Sequence, residues 1–130
     1  MKFQPDTLPG VNVLTRQEPG RVWVGATAFP HSVLVPWRGE VVAWPAARFE
    51  DLGPGHFDAL LALAPEVVIF GSGPRLRFPP AAWLRGLIGR RIGVETMDTG
   101  AACRTYNVLA AEGRSVAAAL LVEPAAAGSA

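Results

Sequence analysis

The 130-residue sequence predicts a single α/β domain. The expected core is a mostly parallel sheet with helices on its faces, and an N-terminal β-hairpin forms an extra layer or edge. Three observations lead there. The length suits one domain. Half of the chain is apolar while only 18% is charged, below the roughly 25% usual for soluble domains, which fits a well-filled core. The hydrophobic pattern also changes near residue 45, from short β-rich runs to an alternation of helix and strand.

In the first half, Val11 to Thr15, Arg21 to Val24, Ser32 to Val35 and Glu40 to Trp44 are β-rich runs. Between them, Gln17-Glu18-Pro19-Gly20 and Trp37-Arg38-Gly39 carry turn chemistry, so this half reads as hairpins or a small meander. Phe57, Leu60, Leu61 and Ala64 then share one helical face, with Pro54 near its start. Val67 to Phe70 is a continuous β-branched and aromatic run, the pattern of a strand covered on both faces. Pro80 opens a second helix with a Trp83, Leu84, Leu87 and Ile88 stripe, and Ile92 to Thr96 is the next strand. A third helix over Gly100 to Ala111 places Ala102, Tyr106 and Leu109 inward and Arg104, Asn107 and Val108 outward, with Gly113 as its C-terminal stop. Val116 to Val122 is the last strand. The domain is therefore assigned to 1–123, and the small-residue tail 124–130 is expected to be mobile.

Composition excludes several functions. Twelve basic residues against eleven acidic ones leave a net charge of +1, which argues against nucleic-acid binding. Eleven of the twelve are arginines spread along the chain, the pattern of a solvated surface. One cysteine and two histidines cannot form an internal disulfide or complete a Cys/His zinc site, so no metal is expected. No apolar run reaches the ~18 residues of a membrane span. The N-terminus has no apolar leader segment, so a cytoplasmic location is expected.

Ligand sites of open α/β sheets lie outside the carboxyl ends of the strands, and two loops there have unusual sequence. The first is Gly71-Ser72-Gly73-Pro74-Arg75-Leu76-Arg77-Phe78-Pro79-Pro80. Its glycines permit close approach or positive φ, and Arg75 and Arg77 would meet an anion. It is not a dinucleotide fingerprint, because Leu76 stands where the third glycine belongs. The second loop leads from Asp98-Thr99-Gly100-Ala101 to Cys103 and Arg104. Asp-Thr-Gly-Ala resembles the active loop of aspartic peptidases, where two carboxylates share a proton. The helical periodicity that follows supports instead Asp98 or Thr99 as the cap of the third helix. Cys103, beside Arg104 in the helix's first turns, is either a thiol with favoured ionisation or a small buried hydrophobe. The candidate pocket thus takes Gly71, Ser72, Gly73, Arg75 and Arg77 from one loop. Asp98, Thr99, Cys103, Arg104 and Tyr106 come from the other. Trp23, Trp37 and Trp44 with Arg104 raise the further prospect of an interaction surface.

The blocks Pro65 to Gly73, Arg77 to Pro80 and Gly93 to Leu109 together resemble the Mth-type domain family of unknown function. That family includes a mitochondrial complex I assembly factor and an adipogenesis-associated protein. The resemblance spans roughly residues 10–123, with Gly71-Ser72-Gly73 in place of the family's glycine-threonine-glycine turn. It implies a three-layer fold with a mixed central sheet and a small added β layer, the last strand running antiparallel to its neighbours. It implies no catalytic activity and no cofactor. The expected function is therefore non-enzymatic: docking a protein partner through the βα-loop edge and adjoining helix faces, as an assembly factor would. The alternatives are a small-molecule or anion pocket between the two loops, with or without Cys103 chemistry, and, remotely, an aspartic peptidase working through Asp98.

Overall fold

The computed structural model describes residues 8–124, so all but the first residue of the tail expected to be mobile lies outside the described residues. Two sheets are present. Strands β1 (Leu14–Glu18), β2 (Arg21–Val24) and β3 (Thr27–Phe29) form an antiparallel meander in that order. Gly20, at φ +80°, supplies the left-handed residue that the β1–β2 turn requires. The larger sheet contains β4 (Val33–Val35), β5 (Val42–Ala43), β6 (Val67–Gly71), β7 (Gly93–Met97) and β8 (Val116–Leu120), in the order β5-β4-β8-β6-β7. Two of the early β-rich runs therefore join the main sheet as β4 and β5 rather than the hairpin layer. The added layer gains β3, whose Thr-Ala-Phe was too short to read.

The sheet is mixed. β6 pairs in parallel with β7 and with β8, whereas β8–β4 and β4–β5 are antiparallel. The expectation that the last strand opposes its neighbours thus fails on the β6 side. The crossover helix between β7 and β8 carries the chain back across the sheet, so β8 runs in the same sense as β6 and β7.

Side chains alternate between the two faces of this sheet. Val67, Ile69, Val116, Ala118 and Leu120 face α3 (Thr99–Ala111) and the small sheet. Val68, Phe70, Ala117, Ala119 and Leu121 face the layer of short helices on the other side. That layer begins with α1 (Pro54–Asp58), which tightens into a 3₁₀ turn over Ala59–Leu63 and stops at Ala64, at φ +47° before Pro65. A 3₁₀ turn at Ala81–Leu84 then precedes α2 (Arg85–Gly89). Because a 3₁₀ turn advances at about three residues per turn, the phase resets there. Leu87 points inward and Ile88 is 59% exposed, against its expected place on the buried stripe.

Asn107 also departs from expectation. It is buried, because the small sheet packs on the side of α3 that the periodicity assigned to solvent. Its Oδ1 accepts the Leu14 N–H (2.9 Å) and its Nδ2 donates to the Leu14 carbonyl (2.7 Å), so a helix side chain completes the hydrogen bonding of β1. The tryptophans do not gather on one surface. Trp44 is core, Trp37 donates to the Ala110 carbonyl (3.1 Å), and Trp23 lies under the guanidinium groups of Arg16 and Arg21.

Candidate functional site

The two loops leave adjacent parallel strands at the same level, since Gly71 is in register with Met97. They meet by direct contact. A Cβ on Gly71 would lie 3.0 Å from the Ala102 Cβ and from the Thr99 Cα, so only glycine lets α3 sit this close to β6. The Gly73 N–H donates to the Thr99 hydroxyl (2.9 Å) and the Thr99 N–H to the Gly73 carbonyl (2.9 Å), while Thr99 Oγ1 donates to Leu121 O (2.7 Å). Three segments are thereby tied at one buried hydroxyl.

Ser72 does the same for its own loop. Its N–H donates to Met97 O (2.8 Å), its hydroxyl donates to Arg75 O (2.7 Å), and that hydroxyl accepts the Arg77 N–H (2.9 Å). The Arg77 guanidinium folds back onto the Ser72 carbonyl, pairs with Glu123 and with Glu50, and lies 5.0 Å from the Phe49 ring centre. Arg77 is thus a strut of the loop, and Arg75 is left exposed. Both buried hydroxyls have full partner sets, which makes them fasteners rather than nucleophiles.

Asp98 is the N-cap of α3: its Oδ1 accepts the Ala101 N–H at 2.9 Å. Cys103 is fully buried in the core under the small sheet. Burial pushes its thiol up to about 12, against a partial lowering by Arg104, so the buried-hydrophobe reading fits and the thiolate one does not. Tyr106 is also fully buried. Its hydroxyl bonds to the carbonyls of Asn12 (3.0 Å) and Pro36 (3.1 Å), and burial raises its pKa.

The open space lies beside the junction of the loops, not between them. A cleft of about 540 Å³ is enclosed by residues 17–20 of the β1–β2 turn, Val22, 73–74, 98–100, Arg104 and 121–124. Of the ten residues expected to form a pocket, Gly73, Asp98, Thr99 and Arg104 line it. Gly71, Ser72, Arg75, Arg77, Cys103 and Tyr106 do not. Over Gly100 three polar groups converge: a Cβ there would lie 3.1 Å from Gln17 Oε1, 3.4 Å from Asp98 Oδ1 and 3.7 Å from Arg104 Nη1. The carboxylates of Glu18, Asp98 and Glu123 outnumber the Arg104 guanidinium on its walls. Gln17, Glu18 and the 121–124 segment were missed, because only tertiary packing brings that turn over the start of α3. Among the described residues, no group of three His, Cys, Asp or Glu could hold a metal, and no helix is long and apolar enough to cross a membrane.

Residues 14–121 match the family described as "Protein of unknown function (DUF498/DUF598)". The chain is 36% identical over 107 residues to NADH dehydrogenase [ubiquinone] 1 alpha subcomplex assembly factor 3 of Bos taurus, covering 81% of this chain and 57% of that protein. It therefore spans little more than half the length of this curated relative. A crystal structure of a Bordetella parapertussis protein superposes with a TM-score of 0.84 at 36% identity, covering 90% of this chain and all of that one. The solution structure of a Bordetella pertussis protein described as an Mth938-like domain gives 0.77 at 30% identity, over 98% of this chain and 96% of that one. With its strand-end glycines, its capped third helix and these relatives, the chain belongs to the DUF498/DUF598 family of Mth-type domains, which includes complex I assembly factor 3.

Proposed function

We propose that this chain is a non-enzymatic, assembly-factor-like protein of the cytoplasm that docks a protein partner through the carboxyl edge of its sheet and the adjoining helix faces. The observation carrying this reading is the 36% identity to a named assembly factor over four fifths of the chain. The chemistry of the edge agrees with it. Asp98 is used in capping, Ser72 and Thr99 in fastening loops, and Cys103 is sealed in the core. What the edge offers outward is a hydrogen-bonded loop, and the adjoining face of α3 adds the exposed Val108 near that helix's far end. A loop fastened in this way loses little entropy when a partner binds. The test is affinity purification of the tagged chain after mild cross-linking. NADH dehydrogenase subunits are expected to be enriched for the wild type and lost for Val108→Asp. Recovery of none of them counts against the reading.

The cleft favours a second reading, a small-molecule site. Its volume lies within the roughly 300–1,000 Å³ of ligand pockets. Three carboxylates line it, Glu18 bonded also to Arg16 and Glu123 to Arg77, and a cationic or hydrogen-bond-donating ligand would compete with those arginines for them. A rise in melting temperature with a polyamine, absent with phosphate and abolished by Glu18→Gln, is the expected result. No shift with either compound would end this reading.

A further inference from the structure

We infer that the outer side of the segment from Pro74 to Arg91 is a docking surface for an anionic lipid bilayer. Residues 71–92 contain five arginines and no aspartate or glutamate. Arg77 is consumed within its loop. Arg75, Arg85, Arg90 and Arg91 are exposed, and every other exposed residue of the segment is Pro, Leu, Phe, Ala, Ile or Gly. No uncharged polar side chain interrupts it. Three of the large exposed apolar residues are here, Leu76 (51%), Phe78 (69%) and Ile88 (59%).

The 77–84 part of this segment borders one aromatic nest, and α2 then carries the chain along that face to Arg90 and Arg91 just before β7. Arg77 lies on Phe49, and Phe49 packs 5.5 Å from Trp83, so the loop runs beside the 81–84 turn. Trp83, Leu84 and Leu87 face inward, which turns Arg85 and Ile88 outward at i and i+3. Of the nearby carboxylates, Glu50 and Glu123 are held by Arg77, while Asp58 lies against Gly86 and offsets part of the charge of α2, leaving Arg75, Arg90 and Arg91 to carry the rest.

Guanidinium groups among Phe, Leu and Ile are what a bilayer interface selects. The cations meet lipid phosphates while the apolar side chains enter the acyl boundary. A protein pocket would call for a localised anchor with matched polar partners. Here charge and apolarity are spread along a loop, a 3₁₀ turn and α2, a distribution that a fluid surface accepts without shape matching. This inference goes beyond the protein-docking reading. Vesicles contain no protein, so its failure would leave that reading standing.

The test is co-sedimentation of the purified chain with vesicles of phosphatidylcholine alone and of phosphatidylcholine with phosphatidylglycerol. Binding to the anionic vesicles only, weakened by salt, is expected. Arg75→Gln/Arg90→Gln should lower the affinity about twenty-fivefold, at about fivefold for each arginine. Phe78→Ser should also weaken binding. Arg38→Gln/Arg114→Gln removes the same charge elsewhere and should leave binding unchanged. All five positions are on the surface, and melting temperatures check that each variant folds. Absence of wild-type binding, equal binding to neutral vesicles, or an equal loss in the control pair would each overturn the proposal. So would a photo-cross-linker at position 78 that joins an acidic protein segment while the chain ignores vesicles.

Discussion

The two faces of the large sheet are built on different principles, although the same strands supply both. Toward α3 the strands offer valine, isoleucine and alanine, and the helix comes close enough that Gly71 and Ala102 touch. That side is then fixed by polar fasteners reaching across elements: Asn107 to Leu14, Tyr106 to Asn12 and Pro36, Thr99 to Leu121. On the opposite face the cover is short, irregular helices, and rings fill the space. Phe57 lies 5.2 Å from Phe70, 5.7 Å from Trp44 and 6.1 Å from Trp83. Long regular helices can approach closely and be pinned by hydrogen bonds. Broken ones leave irregular volume, which large side chains fill.

If that contrast holds, truncation should cost most on the aromatic face. Phe57→Ala removes the ring that three others pack against, and a loss of about 4 kcal/mol is expected from denaturant unfolding. On the other face the largest effect should come from a polar residue of similar volume. Asn107→Leu strands the buried N–H and carbonyl of Leu14, with an expected cost of about 3 kcal/mol. Hydrogen exchange at the Leu14 amide should accelerate with it, while amides of β6 should not. A neutral Asn107→Leu variant would mean that the small sheet is held by apolar contact alone.

Cys103 comes next and tests the same face by a different route. Cys103→Ser buries an unmatched hydroxyl, at a cost of about 2 kcal/mol. In the wild type, iodoacetamide should label the thiol only on unfolding. The pH dependence follows from the sign of the shift. The folded thiol is pushed up to about 12 from an ordinary 9.0, so its contribution is complete below pH 9 and is lost as pH rises toward 12. Unfolding at alkaline pH should therefore come earlier than in Cys103→Ala. Rapid labelling of the folded chain at neutral pH would reopen the thiolate chemistry.

How much of this was legible depends on whether the signal was local. β6 and β8 were clear from their continuous apolar runs, and α3 from its period, cap and Gly113 stop. The meeting of the Gly71 and Asp98 loops followed from β6 and β7 being neighbours. Asn107 was not legible, because a second layer on α3 reverses the meaning of an outward position. Ile88 was lost to a phase reset that hydrophobic spacing alone does not reveal. For the site, the sequence marked polar residues without saying which would be consumed. Ser72, Arg77 and Thr99 look like ligand groups in one dimension, and in three they bond to the chain itself. In the exposed remainder, Arg75 is marked in the sequence as an anion contact of its loop, whereas the exposure of Leu76 and Phe78 beside it has no local signal.

The smallest expected effect concerns Asp98, and it separates a structural carboxylate from a reactive one. As an N-cap bonded to the Ala101 N–H, it should cost about 1 kcal/mol when replaced by alanine. Asparagine also caps well, so Asp98→Asn should restore most of that loss while removing the charge. A peptidase carboxylate would behave otherwise: Asp98→Asn would abolish its activity however stable the fold. The pair of variants therefore decides by ranking rather than by size. Stability in the order wild type, Asn, Ala, with partner recovery tracking stability, assigns Asp98 to the close-packed α3 face. Loss of a measurable cleavage activity in the stable Asn variant would make the end of α3 a reaction centre and take Asp98 out of the set of fasteners.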